Sequence, residues 1–230
     1  MQVIVALLAG IFLAGEVRAQ VAASVTAISD YRFRGISQSD RRPALQASVA
    51  FDHPAGFFAG LFASTVDFGA ASNPRVEAFV QAGYARRMDA DFSWELGAGY
   101  YSYYGSGRAS DRNYAEGFVG VTWRTLNARV NYAPDYFGGG TQSTYVEVNS
   151  SHALSERTAL FAHIGVIYLA GSSTQARSRS RVDTRFGVSV DLQVMSLELS
   201  AVATDIAGDE CPGRRNRCKP GVVVAISRSF

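Results

Sequence analysis

Two cysteines, three histidines and a single lysine occur among 230 residues, and proline is scarce at six. Two cysteines make neither a disulfide scaffold nor a zinc site, and no histidine lies near them. His53, His152 and His163 are not spaced as His-Glu-x-x-His, and the chain carries no phosphate loop and no G-x-S-x-G elbow. Net charge is only +2, so no global field argues for nucleic acid. After the first fifteen positions no run of about 18 apolar residues occurs, which removes an ordinary membrane helix. It does not remove the membrane. Barrel strands alternate apolar and polar residues, and alternation averages to a mean hydropathy near zero, here +0.02.

What is present is alternation. "SDYRFRGISQSDRRP", residues 29–43, places Tyr31 and Phe33 on one parity and Asp30, Arg32 and Arg34 on the other. A soluble sheet produces that pattern with one wet face, and a membrane barrel with a wet lumen and a lipid wall. Twelve alternating segments follow: 21–33, 43–52, 57–68, 75–86, 91–104, 113–123, 126–136, 143–153, 158–169, 181–192, 195–205 and 220–230. Each is near the roughly 9–11 residues with which a tilted strand crosses a bilayer. In 43–52, Leu45, Ala47, Val49 and Phe51 oppose Gln46, Ser48 and Asp52; in 75–86 the exception to the parity is Phe79.

Connections after even-numbered segments are tight ("HPAG", "RMDA", "TL", "LSER", "QV"), and those after odd-numbered ones are mostly longer. Short periplasmic turns alternating with long outer loops predict an all-β fold, a transmembrane antiparallel up-and-down β-barrel of about 12 strands. Aromatic residues cluster at strand ends. Tyr31 and Phe33, Phe68, "YYSYY" at 100–104, and Tyr132, Tyr136 and Phe137 are expected at the outer lipid interface.

The first residues supply an address. "VIVALLAGIFLAG", 3–15, is followed by "VRAQ" with Val17 and Ala19 in the small-x-small arrangement of a cleavage site. This predicts a signal peptide over 1–19 and a barrel over 20–230, although no Lys or Arg precedes the apolar run; a buried N-terminal helix is the alternative. Cys211 and Cys218, in "DECPGRRNRCKPG", are expected to form a local disulfide in an exported protein. The chain ends "VVVAISRSF", with Phe230 on the parity of Val222, Val224 and Ile226, like the terminal strand that the barrel-assembly machinery recognises; Arg228 departs from that pattern.

"SDYRFRGISQSD", "GFFAGLFASTVDFG", "YYSYYGS", "NYAPDYFGGGT" and the terminal "SRSF" resemble, in order and over the whole mature chain, the TorF-like porin family of Gram-negative bacteria. The resemblance implies an outer-membrane β-barrel with porin function, and it bears on location more than on activity.

Charge on the lipid face costs about 2–4 kcal/mol for an arginine at the bilayer midplane. The charged parity is therefore expected to line the lumen: Asp30, Arg32 and Arg34 from the first segment, Asp67, Glu77, Gln81 and Glu95 from the next, then Glu116, Arg129, Asp135 and Glu147, and finally Asp183, Arg185 and Glu198. The reading is a passive channel for small solutes or ions. The alternative is a non-conducting outer-membrane barrel with a structural, lipid-binding or adhesive role. Ser150 and His152 share a face at the periplasmic end of the eighth segment, the wrong side for attack on outer-leaflet lipid, so no enzyme is expected and no cofactor or metal is needed. Expected partners are outer-membrane lipids and the small solutes or ions. Lipopolysaccharide phosphates are expected to meet the clusters Arg177, Arg179, Arg181 and Arg214, Arg215, Arg217, Lys219.

Overall fold

A computed structural model describes residues 19–69, 74–171 and 180–230. The expected signal peptide and its cleavage site fall almost wholly outside these residues, as do Arg177 and Arg179. Twelve strands close into one antiparallel barrel: β1 Gln20–Ile28, β4 Ala44–Asp52, β5 Phe57–Thr65, β6 Pro74–Arg87, β7 Phe92–Gly105, β8 Tyr114–Trp123, β9 Leu126–Ala133, β10 Thr141–Ala153, β11 Thr158–Gly171, β12 Ser180–Asp191, β13 Ser196–Thr204 and β14 Gly221–Ser229. Each strand pairs with its chain neighbours, and β1 closes on β14 with Thr26 opposite Ser227. Closure removes the free edges that would otherwise expose unpaired backbone groups. The two-residue strands β2 (Arg32–Phe33) and β3 (Ile36–Ser37) pair with each other outside the barrel sheet.

The exterior is apolar all the way round. Every barrel strand turns at least one large apolar side chain outward and exposed, from Val21 and Val25 on β1 through Leu61, Val80, Leu96 and Val119 to Ile164, Phe186, Leu199 and Val224. Water tolerates no apolar band of that extent on a single chain; a bilayer requires one. Aromatic rings frame the band. Tyr100, Tyr104, Tyr132 and Tyr168 are exposed at the long-loop end, and Phe51, Phe57, Trp123 and Phe230 at the short-turn end.

Seven of the aromatic residues expected at the outer interface are not there. Tyr31 and Phe33 are each 4% exposed, and Phe68 is equally buried. All three pack inside the barrel with Tyr101, Tyr103 and Tyr114, and Tyr136 and Phe137 lean on the same cluster. Strand β1 ends at Ile28, before the charged alternation begins. Residues 29–43 are therefore a loop, here L1, that turns inward. The run "YYSYY" divides between the two environments, with Tyr100 and Tyr104 outside and Tyr101 and Tyr103 inside.

Inside, rings are seated over glycines. A Cβ on Gly83 would stand 2.5 Å from Phe58, one on Gly97 equally close to Phe118, one on Gly99 2.4 Å from Phe79, and one on Gly187 2.4 Å from Phe161. Phe79, the exception to the parity of its segment, thus faces the lumen and packs, tilted, on Tyr101 at 4.2 Å between ring centroids. Gly165 is the tightest case, since its Cβ would meet the Tyr145 hydroxyl at 2.0 Å. Gly165→Val should push Tyr145 off the wall and lower the barrel's stability by about 1–3 kcal/mol, the usual cost of overpacking. The check is the urea midpoint of the detergent-folded protein; an unchanged midpoint would show that the ring has another place to go.

Candidate functional site

The barrel wall presents its charges to the interior. Glu77 and Gln81 on β6, Glu95 on β7, Glu116 on β8, Arg129 on β9, Glu147 on β10, Asp183 and Arg185 on β12 and Glu198 on β13 occupy the inward parity, as their alternation with outward apolar residues requires. These wall groups comprise six acids and two arginines. Asp67 is not among them, because β5 ends at Thr65. It lies in the following loop, where it accepts from the Gly69 amide at 2.8 Å and faces Arg42 of L1 at 3.5 Å. Asp135 likewise leaves the wall. It is exposed beyond the end of β9 and accepts from the Gly140 amide.

L1 supplies the remaining charges from within the lumen. Phe33 and Ile36 pair across Arg34 and Gly35, whose φ values of 48° and 78° are both in the left-handed region. That is the backbone of a tight two-residue hairpin turn. The tip reaches across the barrel. Tyr31 donates from its hydroxyl to Glu77 Oε1 at 2.9 Å and packs on Phe62, while Phe33 packs on Tyr101. Arg34 donates to Glu116 Oε2 at 2.6 Å and lies over the Tyr145 ring at 4.2 Å. A Cβ on Gly35 would stand 2.8 Å from the Asp183 Cβ and 2.9 Å from that of Thr204, so the glycine tip is wedged against β12 and β13. One loop thereby touches walls on both sides of the lumen. Arg32 and Arg34 do lie in the interior, but on a hairpin rather than on a strand continuing from β1.

The interior charges are arranged in pairs. Arg32 meets Asp30 at 2.7 Å, Arg129 meets Glu95 at 2.6 Å, and Arg185 contacts Glu198. His163 sits between Asn149 Oδ1, 2.7 Å from Nδ1, and Asp183 Oδ1, 2.9 Å from Nε2. Tyr145 donates to the other Asp183 oxygen at 3.0 Å, and Glu147 accepts from Asn131 and Asn149. A cavity of about 40 Å³ remains where the hairpin meets this network. On the turn side of L1 the lumen is wetter, for the side chains of Glu95 and Glu198 keep 20% and 29% of their exposure. Among the described residues no group of His, Cys, Asp and Glu is placed to hold a metal ion. Ser150 and His152 stay near the turn end of β10, where His152 is exposed.

Behind L1 stands L6, residues 205–220, closed by a Cys211–Cys218 disulfide as its spacing predicts. Of the basic cluster expected to meet lipopolysaccharide, Arg215 and Lys219 are exposed, whereas Arg217 is buried, with its guanidinium over the Phe68 ring. Burial lowers the Arg217 pKa to about 10, which leaves it charged at neutral pH. Neither the role of L1 nor that of Arg217 was visible in the local pattern. The available signal was "RFRG", where a glycine follows alternating residues at a point a strand would continue.

A family model described as "Bacterial protein of unknown function (Gcw_chp)" matches residues 14–230. The chain belongs to the Gcw_chp family. No curated protein matches it in sequence. Among solved structures it is similar to the NanC porin, at a TM-score of 0.59 and 12% identity over 90% of this chain and 98% of that one. It is also similar to the KdgM porin, at 0.55 and 11% over 91% and 99%. The toluene transporter TodX of Pseudomonas putida follows at 0.51 and 12%, over 92% and 88%. At such identities the likeness is one of fold: a Gcw_chp chain builds the closed barrel of outer-membrane porins and transporters.

Proposed function

We propose that this protein is a porin-like channel of the Gram-negative outer membrane, passing small solutes or ions by passive diffusion through a lumen narrowed by L1. The observation that carries the reading is a lumen lined by charges of both signs and crossed by a hairpin that no covalent bond fastens to the wall. Selectivity then follows from the width left beside L1 and from the charges it meets. The TorF-like resemblance supports the same function. The reading assigns no catalysis and no cofactor. Arg215 and Lys219 are the groups offered to lipopolysaccharide phosphates, and the β14 strand ending at Phe230 is offered to the assembly machinery.

The same contacts favour a second reading. A loop seated across the lumen, with its arginine paired to a wall acid, also suits a closed barrel with a structural, lipid-binding or adhesive role. Reconstitution in planar bilayers separates the two. Discrete conductance steps are expected from the channel, and silence across salts and voltages would select the closed barrel.

A further inference from the structure

L1 is held by the barrel wall at its tip and by L6 at its base, and the L6 grip is made at the disulfide. Arg32 Nη1 donates to the carbonyl of Lys219 at 2.9 Å, and Arg41 Nη1 donates to the carbonyls of Lys219 and Asn216 at 3.1 and 3.3 Å. In the other direction Arg217 Nε donates to the Ser37 carbonyl at 2.7 Å, and Arg214 pairs with Asp40. Ile36 packs onto the cluster formed by Ile206, Cys211 and Cys218. All of these L6 groups except Ile206 lie between the two cysteines or within one residue of them. L6 has no strand of its own, only a single helical turn at Arg215–Cys218. Its carbonyls converge on Arg32 and Arg41 because the crosslink closes the segment that carries them.

We propose that the Cys211–Cys218 disulfide is the latch that keeps L1 inside the barrel, so that its reduction frees the hairpin while the barrel wall stays intact. The step balances as ordinary thiol–disulfide exchange with a dithiol reductant. One reductant thiolate attacks the sulfur of Cys211, the more exposed of the pair, and Cys218 departs as a thiolate. The second reductant thiol then displaces Cys211. The protein gains two electrons and two protons as two thiols, and the reductant leaves as its own disulfide. Opening so short a loop changes local order far more than global stability. The wall holds itself through the closed strand ladder, which includes neither cysteine. The latch does not require the barrel to conduct; its effect on current rests on the channel reading.

Hydrogen–deuterium exchange on the full folded protein tests it. Oxidised barrels are compared with barrels reduced by dithiothreitol and alkylated, with mass confirming the two thiols and heat-modifiable migration confirming the fold. Exchange in residues 30–41 should quicken about tenfold or more on reduction, with β5 to β12 unchanged. Cys211→Ser/Cys218→Ser should behave like the reduced protein. Arg217→Gln, with the disulfide intact, should loosen L1 in the same direction. Unchanged L1 protection in reduced protein would overturn the latch. Quickened exchange with no current in either the oxidised or the reduced barrel would uphold the latch and count against the channel.

Discussion

Barrels in which residues 32–37 are replaced by a short Gly-Ser turn should pass about threefold more current per open channel than the wild-type protein, or more still. Conductance through a narrow pore rises with its free cross-section, and this hairpin is the segment that crosses the lumen. The replacement removes no barrel strand. It does leave Glu116 and Asp30 without the guanidinium groups that now meet them. An unpaired charge away from water is costly, by about 3–5 kcal/mol when one partner of a buried pair is lost, so Glu116→Gln and Asp30→Asn belong in the same variant. Single-channel recording in planar bilayers is the measurement. Unchanged unit conductance in folded barrels would mean that ions already pass beside L1, and the hairpin would not be the constriction. Gly35→Val offers a milder version. Its side chain has no room against Asp183 and Thr204, and it carries a φ that β-branched residues avoid.

The second large effect concerns charge. Arg32→Gln/Arg34→Gln should shift the reversal potential in a salt gradient toward cation selectivity. Arg34 neutralises Glu116 and Arg32 neutralises Asp30. Removing both guanidinium groups leaves two carboxylates unbalanced, Glu116 on the wall and Asp30 on L1, in a lumen whose wall acids already outnumber its arginines. Cations are then concentrated and anions repelled in the narrowest part of the path. Glutamine can still donate a hydrogen bond to either acid, so the hairpin retains a polar contact on each side. The shift should shrink as salt rises, because counter-ions entering the lumen screen the uncompensated carboxylates. A reversal potential identical to wild type, in barrels shown to fold and conduct, would place both arginines outside the ion path and leave them the task of clamping L1.

The sequence by itself determined the wall. A period of two assigns each strand residue to one of two faces, and an apolar face such as that of 43–52 has only one environment that accepts it all round a barrel. Alternating loop lengths set the strand count and its even parity. The cysteine spacing announced the disulfide. Tertiary structure alone decided where "DYRFRG" goes. Its alternation is as regular as that of any wall strand, because period two reports only that successive side chains point to opposite sides. It cannot report whether the backbone remains in the sheet. What draws L1 inward is long-range: Glu77 and Phe62 for Tyr31, Tyr101 for Phe33, Glu116 and Tyr145 for Arg34, and the L6 carbonyls for Arg32 and Arg41. The same holds for the rings on Gly83, Gly97, Gly99, Gly165 and Gly187. A glycine reads in the chain as a weak strand residue, and it becomes a seat only once register and closure bring a neighbouring strand's ring across it. The barrel follows from local periodicity and the plug from closure, because only a closed wall brings residues far apart in sequence to face one another across a lumen.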